Sequence, residues 1–64
     1  MNGIKINRER QGLTQKQLAT AIGVYPSTIC MWEAGERKPS SDKLPELAKI
    51  LACSIDDLYS EESA

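Results

Sequence analysis

The 64-residue chain contains no histidine. That removes the most common general base and metal ligand from consideration. Two cysteines are present, Cys30 and Cys53, at no metal-ligand spacing. Counting alone permits a disulfide, but a chain with its own core and no secretory pattern is expected to keep reduced thiols. No apolar run approaches the ~20 residues of a membrane span. The opening MNGIKINRER lacks the apolar centre of a signal peptide. A cytoplasmic protein with no membrane association is expected. The chain shows no glycine-rich phosphate loop and no acid pair suited to a cleft, so no enzyme, catalytic residue, cofactor, metal or small-molecule ligand is expected. Strand alternation, internal repeats and low-complexity segments are absent as well.

What remains is a small helical domain. Hydrophobic residues make up 41% of the chain and charged residues 27%, which supports a core and a soluble surface and argues against wholesale disorder. A domain of this size is only marginally stable. The net charge is −1, which by itself disfavours nucleic acid, but the distribution is uneven. Residues 1–43 hold seven basic against four acidic side chains, a net +3, whereas residues 44–64 hold one against five, a net −4. The two halves are expected to face in different directions.

The chain punctuates itself into five helices. The first runs from about Asn2 to Gln11 and ends at Gly12. Thr14 caps the second, Gln15 to Ile22, with Gln17 completing a capping box. Gly23 stops it. Pro26 suits the first position of the third helix, which Ala34 and Gly35 end. Ile29 and Trp32 point inward, and Ser27, Thr28, Cys30 and Met31 lie on its other faces. Ser40 or Ser41 is expected to cap the fourth helix, whose Leu44, Leu47, Ala48 and Leu51 form an amphipathic stripe. Pro45 leaves its start loosely defined. Ser54 and Asp57 cap a short fifth helix, Ile55 to Tyr59. The segment 1–59 thus reads as one domain, and 60–64 as a flexible acidic tail.

Thr14 to Glu33 has the layout of a helix-turn-helix, in which one helix braces and the next enters the DNA major groove. The ordered residues Gly12-Leu13-Thr14-Gln15, Leu18-Ala19, Ile22-Gly23-Val24, Pro26-Ser27-Thr28-Ile29, Trp32-Glu33, Gly35, Lys38-Pro39, Leu44, Leu47-Ala48, Leu51 and Ser54 to Leu58 resemble the phage repressor/Cro, or XRE, family. The resemblance covers about Ile4 to Tyr59. It implies an all-α, compact five-helix domain of the lambda-repressor-like type that binds a double-stranded DNA operator, usually as a homodimer. It further implies that Arg8 and Glu33 form an ion pair between the first and third helices, and that Gln15 faces DNA, bonding a phosphate or bracing a recognition-helix side chain.

Candidate contacts follow from placement on the third helix. Ser27 and Thr28 carry hydroxyls that can bond base edges or phosphates, and Met31 can touch a thymine methyl. Pro26 offers only shape or methyl contacts. Tyr25 either presents its hydroxyl to a phosphate or packs over the turn. Thr14, Lys16, Arg37 and Lys38 are candidate phosphate contacts, which set register without reading sequence. Cys30 reads as a thiol on the DNA side or a small half-buried filler, the second being favoured, and Trp32 is expected to belong to the core. Three residues depart from the family pattern: Tyr25 where a serine cap is frequent, Met31 where a polar or basic reader is common, and Cys30 where a small hydroxyl is usual.

The leading expectation is a small Cro-like repressor acting by promoter occupancy, dimerising through Ile55, Leu58 and Tyr59 beside the acidic residues Asp57, Glu61 and Glu62, with Tyr59 the main exposed contact if Ile55 and Leu58 belong mostly to the core. The alternative is a protein-interaction module of the same fold, favoured by the acidic net charge and the apolar Met31 and Cys30.

Overall fold

The computed structural model describes residues 2–59. The acidic segment 60–64 lies outside them, and with it Glu61 and Glu62. Five helices follow in order: α1 Asn2–Arg10, α2 Gln15–Ile22, α3 Pro26–Ala34, α4 Lys43–Leu51 and α5 Ile55–Leu58. Among the described residues there is no strand.

Apolar periodicity sets the packing. Ile4 of α1, Leu18, Ala19 and Ile22 of α2, Ile29 and Trp32 of α3, Leu44, Leu47 and Leu51 of α4 and Leu58 of α5 close on a single core. Leu13 and Val24, from the loops on either side of α2, pack against it. The helix α3 leans on α1 and α2, whereas α5 leans on α1 and α4. The third and fifth helices therefore sit on different flanks of α1.

Local capping defines the element starts. Thr14 Oγ1 accepts from the Gln17 amide at 3.0 Å, and Gln17 Oε1 accepts from the Thr14 amide at 2.9 Å. Ser54 and Asp57 form the same reciprocal box on α5. Tyr25 precedes α3 without a side-chain cap, and Pro26 then spares one unmet amide. The fourth helix differs from expectation. Asp42 stands at its N-cap in an αR conformation with no side-chain bond, and the carbonyl of Ser40 accepts from Lys43 and Leu44 at 2.9 and 3.3 Å. A backbone turn, not a serine hydroxyl, starts this helix. Pro45 falls in the first turn, where the missing amide costs nothing.

Four helices end alike, in a left-handed residue followed by an amide that reaches back five residues. Three use Gly12, Gly23 and Gly35, which the sequence signals. The fourth uses Ala52 at φ 54°, which it does not. Another close contact is hidden in α1. A Cβ on Gly3 would stand 2.1 Å from the Asp57 carbonyl oxygen and 2.7 Å from that of Leu58. The missing side chain is what lets α5 lie against α1.

Two consequences are testable by urea unfolding. Gly3→Ala should destabilise the domain by ~2 kcal/mol or more, because the collision is with backbone rather than with a movable side chain. Ala52→Gly should stabilise it by up to ~1 kcal/mol, the left-handed penalty of an L-residue less the entropy that glycine loses on folding.

Candidate nucleic-acid interface

The site is built around one carboxylate. Glu33, near the C-terminal end of α3, has a side chain only 6% exposed, and the side chain of Arg8 on α1 is 10% exposed. Arg8 Nε donates to Glu33 Oε2 at 2.6 Å, and Arg8 Nη2 donates to Glu33 Oε1 at 3.3 Å. Arg8 Nη1 donates to the Leu13 carbonyl at 2.8 Å. Gln15 Nε2 donates to Glu33 Oε1 at 2.9 Å. One bidentate ion pair thus joins α1 to α3, and one amide joins the first residue of α2 to the same carboxylate. The hydrogen bond to Glu33 pushes the Arg8 guanidinium further above its ordinary range, against the opposing effect of burial. Arg8 stays charged at every pH the fold will see.

This arrangement decides which way α3 turns. Ile29 and Trp32 enter the core and Glu33 reaches sideways to Arg8. The opposite face then carries Ser27, Cys30, Met31 and Ala34, at spacings of three and four. Ser27, Cys30 and Ala34 are exposed and Met31 is half-buried. Thr28 is half-buried at the edge of that face, and Pro26 is exposed at its start. Tyr25, before the helix, is 78% exposed, so its ring does not pack over the turn.

The flanks carry the cations. Lys16 is exposed on the first turn of α2, next to the exposed cap Thr14. Arg37 and Lys38 are exposed just past α3. The loop holding them is tied back to the helix, since the Glu36 and Arg37 amides both donate to the Met31 carbonyl, at 3.0 and 3.3 Å. Pro39, at its far end, is buried.

Several expectations need correction. Cys30 is exposed on the outward row of α3, because the helix rotation fixed by Trp32 and Glu33 turns it from the core. It is not a half-buried filler. Leu58 is fully buried, holding α5 to the core, so it cannot also serve a partner subunit. Ile55 and Tyr59 remain 38% and 49% exposed, on the flank away from α3. Of the two roles expected for Gln15, the structure shows the brace on a recognition-helix side chain, with one of its two amide hydrogens given to Glu33. The sequence did not single out Glu33 as that side chain, nor the Leu13 carbonyl as an acceptor for Arg8. Nothing local joins Gln15 to a residue eighteen positions later. Cys53 is half-buried and remote from this surface, its thiol pushed up by burial and by the Asp57 carboxylate, against a smaller effect of Arg10.

A family model described as Helix-turn-helix matches residues 4–58. The chain is 36% identical over 55 residues to the HTH-type transcriptional activator BcrR of Enterococcus faecalis, covering 86% of this chain and 27% of that protein. It is 35% identical over 54 residues to the HTH-type transcriptional regulator DicA of Escherichia coli, covering 81% and 40%. With the uncharacterized HTH-type transcriptional regulator MJ0272 of Methanocaldococcus jannaschii it shares 34% identity over 58 residues, 91% of this chain and 88% of that one. The chain therefore spans well under half the length of BcrR and DicA.

Removing one half of the buried pair should be far worse than removing both. Glu33→Ala strips the largely buried guanidinium of its bidentate partner, leaving it the Leu13 carbonyl and the exposed Glu9 carboxylate at 4.0 Å, and should cost ~3–5 kcal/mol. That approaches the whole stability of a domain this size, ~0.05–0.15 kcal/mol per residue. The double replacement Arg8→Met with Glu33→Leu should stay within ~2 kcal/mol of the parent. Urea unfolding of the three proteins checks the inequality.

Proposed function

Because this chain belongs to the XRE-type helix-turn-helix family, we propose that it is a sequence-specific, double-stranded DNA-binding transcriptional regulator of the cytoplasm, working as a homodimeric Cro-like repressor. The observation that carries this reading is the rigid presentation of α3. Its outward row is bare, its rotation is fixed by the Arg8–Glu33–Gln15 cluster, and exposed cations stand on both flanks. Ser27, Thr28 and Met31 address the major groove, with Pro26 and Tyr25 at its entrance. Thr14, Lys16, Arg37 and Lys38 meet phosphates. The Thr14 hydroxyl accepts from Gln17 and keeps its hydrogen to donate. Gln15 acts mainly by bracing Glu33.

Assembly follows from size. The Cα atoms span 29 × 23 × 21 Å, and one recognition helix reads too few base pairs to select a site in a genome. Two copies with their helices ~34 Å apart would address successive major grooves on one face of the duplex. Ile55 and Tyr59, partly exposed on the flank away from α3, supply the apolar contact between protomers. Their acidic neighbours Asp56 and Asp57 suit a surface turned from DNA.

Binding to a duplex bearing a selected site should weaken steeply with salt, as counterion release requires. Arg37→Ala and Lys38→Ala should each flatten the slope of log K against log salt by ~1 and weaken all sequences alike. Fluorescence anisotropy across a salt series reads both effects. A protein that retains no duplex at low salt would point to the protein-interaction alternative. For assembly, sedimentation of the complex should show two protomers per site, and Ile55→Asp with Tyr59→Asp should lower affinity without unfolding the domain. A single protomer per saturated site would sink the dimer.

A further inference from the structure

The row that α3 turns outward has an unusual chemistry for reading bases. Bidentate recognition of guanine needs arginine or lysine, and of adenine asparagine or glutamine. The sequence of α3, PSTICMWEA, contains none of the four. Its one charged residue, Glu33, is committed to Arg8 and Gln15. The amides and guanidinium nearest in the fold are tied down as well, Gln15 by one of its two amide hydrogens. Gln15 braces Glu33, Gln17 caps Thr14, Asn7 is buried with Nδ2 donating to the Gly3 carbonyl at 2.8 Å, and Arg8 is buried in the ion pair. Left on the outward face or at its edge are Pro26, Ser27 and Cys30, all exposed, and the half-buried Thr28 and Met31, which together offer apolar groups, a thiol and two hydroxyls. Hydroxyls make single bonds and discriminate little among bases. Apolar groups have one distinctive target in the major groove, the C5-methyl of thymine.

We infer that this surface reads thymine methyl groups, and that the half-site it selects carries thymine where Met31 and the start of α3 meet the bases, with no obligatory guanine there. The inference rests on the reading that α3 enters the major groove. It adds what that helix can recognise. Base discrimination then comes from methyl burial, while Lys16, Arg37 and Lys38 supply sequence-independent grip.

The test is selection from a random duplex pool at low salt, followed by deoxyuridine substitution of each enriched thymine. That replacement removes the methyl and leaves every hydrogen-bonding group in place. Each substitution at a contacted thymine should weaken binding about fourfold, the effect of losing one buried methyl-sized group. At the position facing Met31 the loss should vanish in Met31→Ala, so that thymine and uracil bind alike. Met31→Gln, which supplies a carboxamide at the same partly exposed position, should move the preferred base there to adenine. Circular dichroism of each variant establishes that it folds. Enriched sites in which guanine dominates and uracil substitution costs nothing would overturn the methyl reading while leaving DNA binding intact. Failure to enrich any duplex would overturn both.

Discussion

Everything presented by α3 depends on where Glu33 is held. Trp32 and Glu33 are adjacent in sequence, so their side chains leave the helix about 100° apart. One enters the core and the other takes the ion pair with Arg8. Two fixed directions on a short helix leave no rotational freedom. Apolar burial alone would permit Ile29 and Trp32 to roll against α1 and α2, because hydrophobic attraction has no direction. Hydrogen bonds do have direction. The carboxylate receives two bonds from a planar fork and a third from an amide on another helix, and no buried polar side-chain atom among the described residues is left without a partner. A fully satisfied network of this kind fixes orientation, even where an apolar replacement would serve stability as well.

The surrounding fold is economical in a different way. Both cysteines are free, and the domain gains cohesion by bringing backbones close. Gly3 lets the carbonyls of α5 touch α1. Ala19 is buried on α2 with only a methyl group between the helix and its neighbours. The helix ends fold back on themselves, so that carbonyls at the ends of α1 to α4 find partners within the chain. Local hydrogen bonding of this sort leaves the small core to do little more than hold the elements together.

Much of this was legible in the sequence because it is local. Capping boxes at Thr14 and Ser54, left-handed glycines, Pro26 at a helix start and the leucine stripe of α4 each lie within a window of about ten residues. Their physics does not depend on the rest of the fold. The features that sequence reading missed depend on distance. Gly3 reads as a poor helix residue until α5 is seen above it. Gln15 reads as bonding a phosphate or bracing α3, and only the fold shows that Glu33 is the side chain it braces. Ala52 ends α4 in a conformation that favours glycine, and no residue-level preference announces it. The burial of Cys30 was misjudged because the roll of α3 is set by the ion pair together with Ile29 and Trp32, and the ion pair lies beyond any local window.

The uneven charge connects these details. A net charge near zero gives weak long-range attraction to DNA, but the basic residues gather in the first 43 positions and the acidic ones after them. The field therefore orients the domain more than it pulls it. In the proposed docking, α3 with its flanking lysines and arginine would lead and α5 with Asp56 and Asp57 would trail. A protomer with few cations and a recognition row of hydroxyls and apolar groups would bind a half-site modestly. Two such half-sites, joined in the proposed symmetric pair, would multiply their affinities, since the second contact would be made at high effective concentration. Selectivity would then reside in the spacing of two weak readings as much as in either one. A pair of that kind needs α3 held in one orientation, which is what the Glu33 cluster supplies.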